Sequence, residues 1–93
     1  MNNTITKTKL DSYFKLTETA LKEVKKAIIK GKEAQAKEII LMVENYLSDA
    51  KFFQNKKDFV NAFAALNYSH GWLDSGVRLD VFNVKDSKLF TIK

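Results

Sequence analysis

Apolar side chains recur at steps of three and four from Leu10 almost to the end of the chain, and no proline interrupts them. That spacing follows the α-helical turn, and proline, which would break such a helix, is missing altogether. The chain is therefore committed to helices whose apolar stripes must cover one another. Ninety-three residues leave room for a single domain of this kind. There is no cysteine, which excludes a disulfide framework, thiolate metal sites and cysteine catalysis. One histidine excludes multi-histidine metal centres, so neither a metal nor a cofactor is expected.

Three helices can be read from the pattern, near 6–30, 33–55 and 58–81. In the first, Leu10, Tyr13, Phe14, Thr17, Ala20, Leu21, Val24, Ala27 and Ile28 form the apolar stripe. Asp11→Lys15 and Glu18→Lys22 stand four residues apart on the outer face, with the acid first, the better orientation. Thr8 with Asp11 reads as a capping box, with Thr6 an alternative cap. Gly31 can end the helix in the left-handed conformation. In the second helix Ala36, Ile39, Ile40, Val43, Tyr46, Leu47, Ala50 and Phe53 make the stripe. Asp58 is placed to cap the third. Short connections between consecutive helices dictate antiparallel packing. The expected fold is all-α, an antiparallel three-helix bundle with a short apolar C-terminal tail, 82–93, packed on it.

The third helix differs from the others. Phe59, Phe63, Leu66, His70, Leu73 and Val77 share one face, and Ala65, Tyr68, Trp72 and Leu79 lie roughly opposite. A helix apolar on two sides is sandwiched between neighbours or offers one side to a partner. Gly71 and Gly76 cost helix propensity, which points to close helix–helix approach. The tail offers Leu89, Phe90 and Ile92 after a polar turn at Lys85–Lys88. Its expected place is over the second face of the third helix, hiding Trp72; covering a neighbouring copy is the alternative.

Two polar patterns carry candidate chemistry. Asn67, His70, Asp74 and Arg78 follow one another at steps of three and four and form one ridge. As a site, His70 would be a base oriented by Asp74, with Arg78 holding an anion. The simpler reading is a hydrogen-bonded core histidine beside an ion-pair ladder, and no catalytic residue is assigned. The second pattern is charge. Residues 1–37 hold nine lysines against four acids, and residues 38–93 hold seven bases against seven acids. The whole surplus of +5 therefore sits on the first helix and its flanks, where Lys15, Lys22, Lys25 and Lys26 are the candidates for nucleic-acid contact. Against this, Arg78 is the one arginine among sixteen basic residues. No aromatic lies between Lys15 and Asn45 to interleave with the lysines as single-strand binders require.

The expected function is that of a non-enzymatic protein-interaction module. Tyr68 and Trp72 serve as anchors toward a protein partner or a second copy; nucleic-acid binding is the alternative. The longest uncharged run, Phe59 to Leu73, has fifteen residues, fewer than the ~20 that span a bilayer. No secretory-signal pattern opens the chain, so a cytoplasmic protein without a membrane partner is expected.

Two stretches carry a likeness to a known family. They are Tyr46-Leu47-Ser48-Asp49-Ala50-Lys51-Phe52-Phe53 and the run from Asp58 through Asn67-Tyr68-Ser69-His70-Gly71-Trp72-Leu73-Asp74-Ser75-Gly76-Val77-Arg78-Leu79. They resemble the archaeal family catalogued as domain of unknown function 357, and Leu89-Phe90-Thr91-Ile92 is similar to its ending. The resemblance implies a small three-helix domain and no activity. Lys57 and Asp80 stand where the family pattern suggests turn glycines. Ala50, Phe53, Asp58 and Ala62 are also similar to one hairpin of a tetratricopeptide repeat, but such arrays need about three repeats.

Overall fold

The structure, a computed structural model, describes residues 6–86 and 88–90. Three helices follow one another: α1 (Lys7–Lys25), α2 (Glu33–Asn55) and α3 (Phe59–Arg78). They run up, down and up. α2 and α3 lie in close antiparallel contact, and α1 rests on α3 more than on α2. The bundle expected from the periodicity is the fold observed.

The first helix departs from expectation at both ends. Its cap is Thr6, which is extended and whose hydroxyl accepts the Lys9 N–H at 3.1 Å; Thr8 lies inside the helix, so the Thr8–Asp11 box does not form the cap. At the other end the helix stops at Lys25 rather than near 30. Residues 27–29 instead meet the chain's C-terminal segment, with Ile28 opposite Phe82 in an antiparallel bridge. The Asn83 N–H donates to the Ala27 carbonyl at 2.8 Å and the Ile29 N–H to the Val81 carbonyl at 2.9 Å. Those bonds replace the ones a longer helix would have made. Gly31 consequently serves a different turn, Ile29 to Lys32, closed by the Lys32 N–H on the Ile29 carbonyl at 2.9 Å. Its φ of 91° suits glycine there.

α2 and α3 end alike. Lys57 and Asp80, each one residue beyond the C-cap, both have φ of 60°. After α2 the Asp58 N–H reaches back to the Phe53 carbonyl and the Lys57 N–H to Gln54, both at 2.9 Å. After α3 the Val81 N–H reaches the Gly76 carbonyl at 2.9 Å and the Asp80 N–H reaches Val77 at 3.2 Å. Each is a left-handed helix stop that satisfies two orphan carbonyls, built on a residue other than glycine. Asp58 closes the α2 stop and also caps α3, its carboxylate accepting the Asn61 N–H at 3.2 Å.

The core is one apolar cluster. α1 contributes Leu10, Phe14 and Val24, α2 contributes Ala36, Val43 and Leu47, and α3 contributes Ala62, Leu66 and Leu73. Small residues line the α2–α3 seam. The buried Ser69 hydroxyl donates to the Val43 carbonyl at 3.1 Å, and Gly76 lies against Phe82 and Ile39, so a Cβ there would overlap the Phe82 ring. Gly76 is thus a close-approach glycine, as its position in the pattern suggests. Gly71 is not, since a Cβ at that position would meet nothing within 4 Å.

The tail packs on its own bundle, but not where the sequence suggested. Phe82 and Phe90 are buried, and Leu89 lies beside Ser12, Lys15, Leu16 and Thr19 of α1. Asp86 turns the chain, its carboxylate accepting the Lys88 N–H at 2.9 Å and its carbonyl the Phe90 N–H at 3.0 Å. The described tail therefore covers α1, and the second face of α3 stays open with Trp72 38% exposed. The expected burial of Ile92 lies outside the described residues.

A left-handed conformation costs an L residue with a Cβ roughly 1–2 kcal/mol. Lys57→Gly is accordingly expected to stabilise the fold by about 1 kcal/mol, raising Tm by about 4–8 °C in a domain of this size. Asp80→Gly should gain less, because Asp tolerates this region better. Thermal denaturation followed by far-ultraviolet circular dichroism measures both.

Candidate functional site

Two regions gather the polar and aromatic residues that the sequence singled out. The first lies between α1 and α3. His70 is buried, and its Nδ1 stands 3.3 Å from the Thr17 hydroxyl on α1. Its Nε2 lies 3.8 Å from a carboxylate oxygen of Asp74, one turn along α3. Tyr13 stacks on both His70 and Phe63, with ring centroids 5.8 and 5.1 Å away. Burial raises the Tyr13 hydroxyl above its usual value near 10.0, and the Asp74 carboxylate adds to the effect.

These contacts make His70 a cross-link between helices. The Thr17 hydroxyl and the imidazole satisfy each other in a buried layer, and among the described residues no buried side-chain polar atom lacks a partner. The ridge read from the sequence therefore separates in space: His70 points inward, Asp74 is partly buried, and Asn67 and Arg78 are exposed. Sequence reasoning missed Thr17 and Tyr13 as partners of His70. Both were read as members of the apolar stripe of α1, and nothing local marks a threonine as facing a histidine 53 positions away. Beside this cluster runs an open groove of about 510 Å³, lined by Lys9, Ser12, Tyr13, Leu16, Phe63 and Asn67. His70 is not among its lining residues. Among the described residues no group of acids and histidines is placed to hold a metal.

The second region is the outer surface of α3. Val60, Tyr68 and Leu79 are 60–69% exposed, an unusual state for large apolar side chains sharing one helix. Tyr68 leans on Tyr46 of α2, ring centroids 5.5 Å apart. A hollow opens on each side of it. One, about 190 Å³, is bounded by Tyr46, Phe53, Asn61 and Ala64. The other, about 320 Å³, is bounded by Asn67, Gly71, Trp72 and Ser75. Tyr68, Trp72 and Asn67 thus come together on one exposed surface, and Arg78 lies further along the same helix.

The four lysines of the nucleic-acid alternative are all exposed. Lys25 is engaged with Glu44 at 3.1 Å, and Lys22 lines a groove whose rim also carries Glu18, Glu44 and Lys51. Glu18 in turn pairs with Lys51 at 3.5 Å. Lys15 stands beside Leu16, Thr19 and the tail residue Leu89. Among the described residues no helix is long and apolar enough to cross a membrane.

Two measurements follow from the buried cluster. Thr17→Val would leave a buried imidazole nitrogen without its partner, at an expected cost of about 1–3 kcal/mol in chemical denaturation. Tyr13 gives a signed pH effect. Its hydroxyl resists ionisation in the fold but not in the unfolded chain, so its contribution is constant below pH 10 and stability falls as pH rises through its raised folded value. Tyr13→Phe should therefore flatten the alkaline limb of a Tm-against-pH curve relative to the parent.

Neither the curated proteins nor the solved structures include a match to this chain. The family described as "Protein of unknown function (DUF357)" does match, over residues 12–82. That span runs from the first turns of α1 to the Phe82 that closes the bundle, and on it the chain belongs to the DUF357 family.

Proposed function

We propose that this protein is a non-enzymatic interaction module that docks through the outer surface of α3. The observation that carries this reading is the exposure of Tyr68 and Trp72 on a face that neither a helix nor the described tail covers. Aromatic anchors beside open hollows are what protein interfaces use to generate affinity. A polypeptide partner would fill the hollows beside Tyr68 with apolar side chains and leave Asn67, Ser75 and Arg78 at the rim. The ridge of Asn67, His70, Asp74 and Arg78 then divides in role: His70 and Asp74 brace α1 against α3, and Asn67 and Arg78 flank the docking surface.

Several observations favour this over the alternatives. Both imidazole nitrogens of His70 face side chains of the fold, Thr17 and Asp74, and the His70 side chain is 11% exposed, which does not suit a base that must meet substrate. The lysines of α1 alternate with acids, and Lys25 is taken up by Glu44, so they do not present the uniform basic track that phosphate contact favours.

Tyr68→Ser combined with Trp72→Ser tests the reading. Both side chains are substantially exposed, so Tm should change by no more than a few degrees. Proteins that co-purify with the parent chain, or its self-association, should be lost. A Tm loss matching the loss of binding would make the two residues part of the core instead. The absence of any partner or self-association with the parent chain would overturn the proposal.

A further inference from the structure

The groove between α1 and α3 lies in the path of the tail. Its apolar lining is Tyr13, Leu16 and Phe63, and its polar lining is Lys9, Ser12 and Asn67. Tyr13 and Phe63 stack with ring centroids 5.1 Å apart, and the Lys9 ammonium stands 5.6 Å from the centre of the Phe63 ring. All three apolar residues are only partly buried, so water still reaches apolar area that the described residues leave open. The described tail climbs toward this area. At Phe82 the chain lies against Ile28, beyond the C-terminal end of α1. At Leu89 it lies beside Ser12, Lys15, Leu16 and Thr19, in the body of that helix. Between the two the chain has run back along α1 toward its start. Ser12 and Leu16 border both the hollow beside Leu89 and the groove, so the groove is the next surface in that direction. Phe90, the last residue before it, is buried and held in place.

We infer that the groove is the seat of the chain's own segment Thr91-Ile92-Lys93, with the Ile92 side chain laid on Tyr13, Leu16 and Phe63. The distance is short enough. Three residues reach at most about 10 Å, and the step from Leu16 back to Ser12 is about one helical turn, roughly 5.4 Å. The pattern of the segment also fits. One apolar side chain stands between two polar ones, as an apolar trough with a polar edge requires: Ile92 goes in, and Thr91 and Lys93 stay in water. Tethering favours this occupant over a free ligand. A segment joined to a fixed anchor by so short a link is present at an effective concentration of roughly millimolar order, so a single apolar side chain suffices to hold it. A free molecule of the same size would lose its translational freedom on binding. Tyr68 and Trp72 are not among the residues of the groove, so this seat is separate from the docking surface proposed above.

Methyl NMR of the full chain is the first test. The Ile92 methyl groups should show cross-relaxation to the ring protons of Tyr13 and Phe63, with resonances moved upfield by the rings. Absence of both signals overturns the inference. Contacts to Tyr68 or Trp72 instead would place the segment on the outer face of α3 and overturn this seat and the open docking surface together. Contacts to the two rings from Ile5 in place of Ile92 would give the groove to the other end of the chain and overturn the inference alone. Ile92→Ser supplies an independent readout. It should lower Tm by about 4–8 °C, the shift that a domain of this size shows on losing part of one buried isoleucine. It should also increase binding of the dye 1-anilinonaphthalene-8-sulfonate, because the emptied groove is apolar. An Ile92→Ser protein with the Tm and dye binding of the parent overturns the inference. Tyr68→Ser with Trp72→Ser should leave the Ile92 methyl signals where they are, and their loss in that variant would overturn the separation of the two surfaces.

Discussion

The seat of Phe82 on Gly76 governs the rest of the molecule. A side chain at 76 would overlap the ring, so the glycine admits Phe82 to a fully buried position against α3. The carbonyl of Gly76 also accepts the Val81 N–H that ends α3, so the same residue stops the helix and receives the ring that follows the stop. With Phe82 fixed, its backbone lies against Ile28, and the two hydrogen bonds flanking that bridge draw residues 27–29 out of α1. The left-handed Asp80 sends the chain back toward α1 instead of along α3. As a result Leu89 reaches α1, and the described residues leave the outer face of α3 uncovered.

α1 depends on a second, smaller set of contacts. Its polar links to α2 are exposed: Lys25–Glu44, Lys51–Glu18 and the Gln54 amide on Asp11. Exposed ion pairs of this kind contribute about 0–1 kcal/mol each. Apolar burial against α3 supplies most of the attachment but is indifferent to small slides along the helix. The Thr17–His70 contact is directional, and misplacing it would strand a buried polar group at about 1–3 kcal/mol. A polar pair in an apolar layer therefore sets the register of α1 on α3. The stack of Tyr13 on Phe63 and His70 fixes the same register from the side.

Much of this could be read from the sequence, because helical period and caps are local. The stripes of α2 and α3 and the Asp58 cap follow from residues within a few positions of one another. Apart from the choice between Thr8 and Thr6 as the cap of α1, the failures are non-local. Ala27 and Ile28 continue the apolar period of α1, and nothing nearby signals that a bridge to Phe82 outweighs another helical turn. The tail was expected on the second face of α3 because that face is apolar, yet its route is set by the turn at Asp80. The two helical glycines were given one explanation, which holds for Gly76 alone. Gly76 lies on the same face as Ser69 and Leu73, and Gly71 lies with Val60, Ala64 and Asn67, so the helical wheel already contained the distinction. Left-handed geometry at Lys57 and Asp80 was legible through the family resemblance, since lysine does not favour it and aspartate favours it only weakly.

An exposed apolar face is a hazard for a small protein unless something limits what it meets. Here the charge distribution provides that limit. The surplus of +5 belongs to residues 1–37, and Lys15, Lys22 and Lys26 share the side of α1 turned away from α3. Net charge of this size keeps copies apart in most orientations. Lysine suits the task, because its ammonium is strongly hydrated and forms no planar bidentate contacts. α3 lies outside that surplus, since residues 38–93 carry equal numbers of acids and bases. The division between a charged helix and an apolar one thus leaves the apolar face of α3 outside the part of the chain where the surplus charge is concentrated.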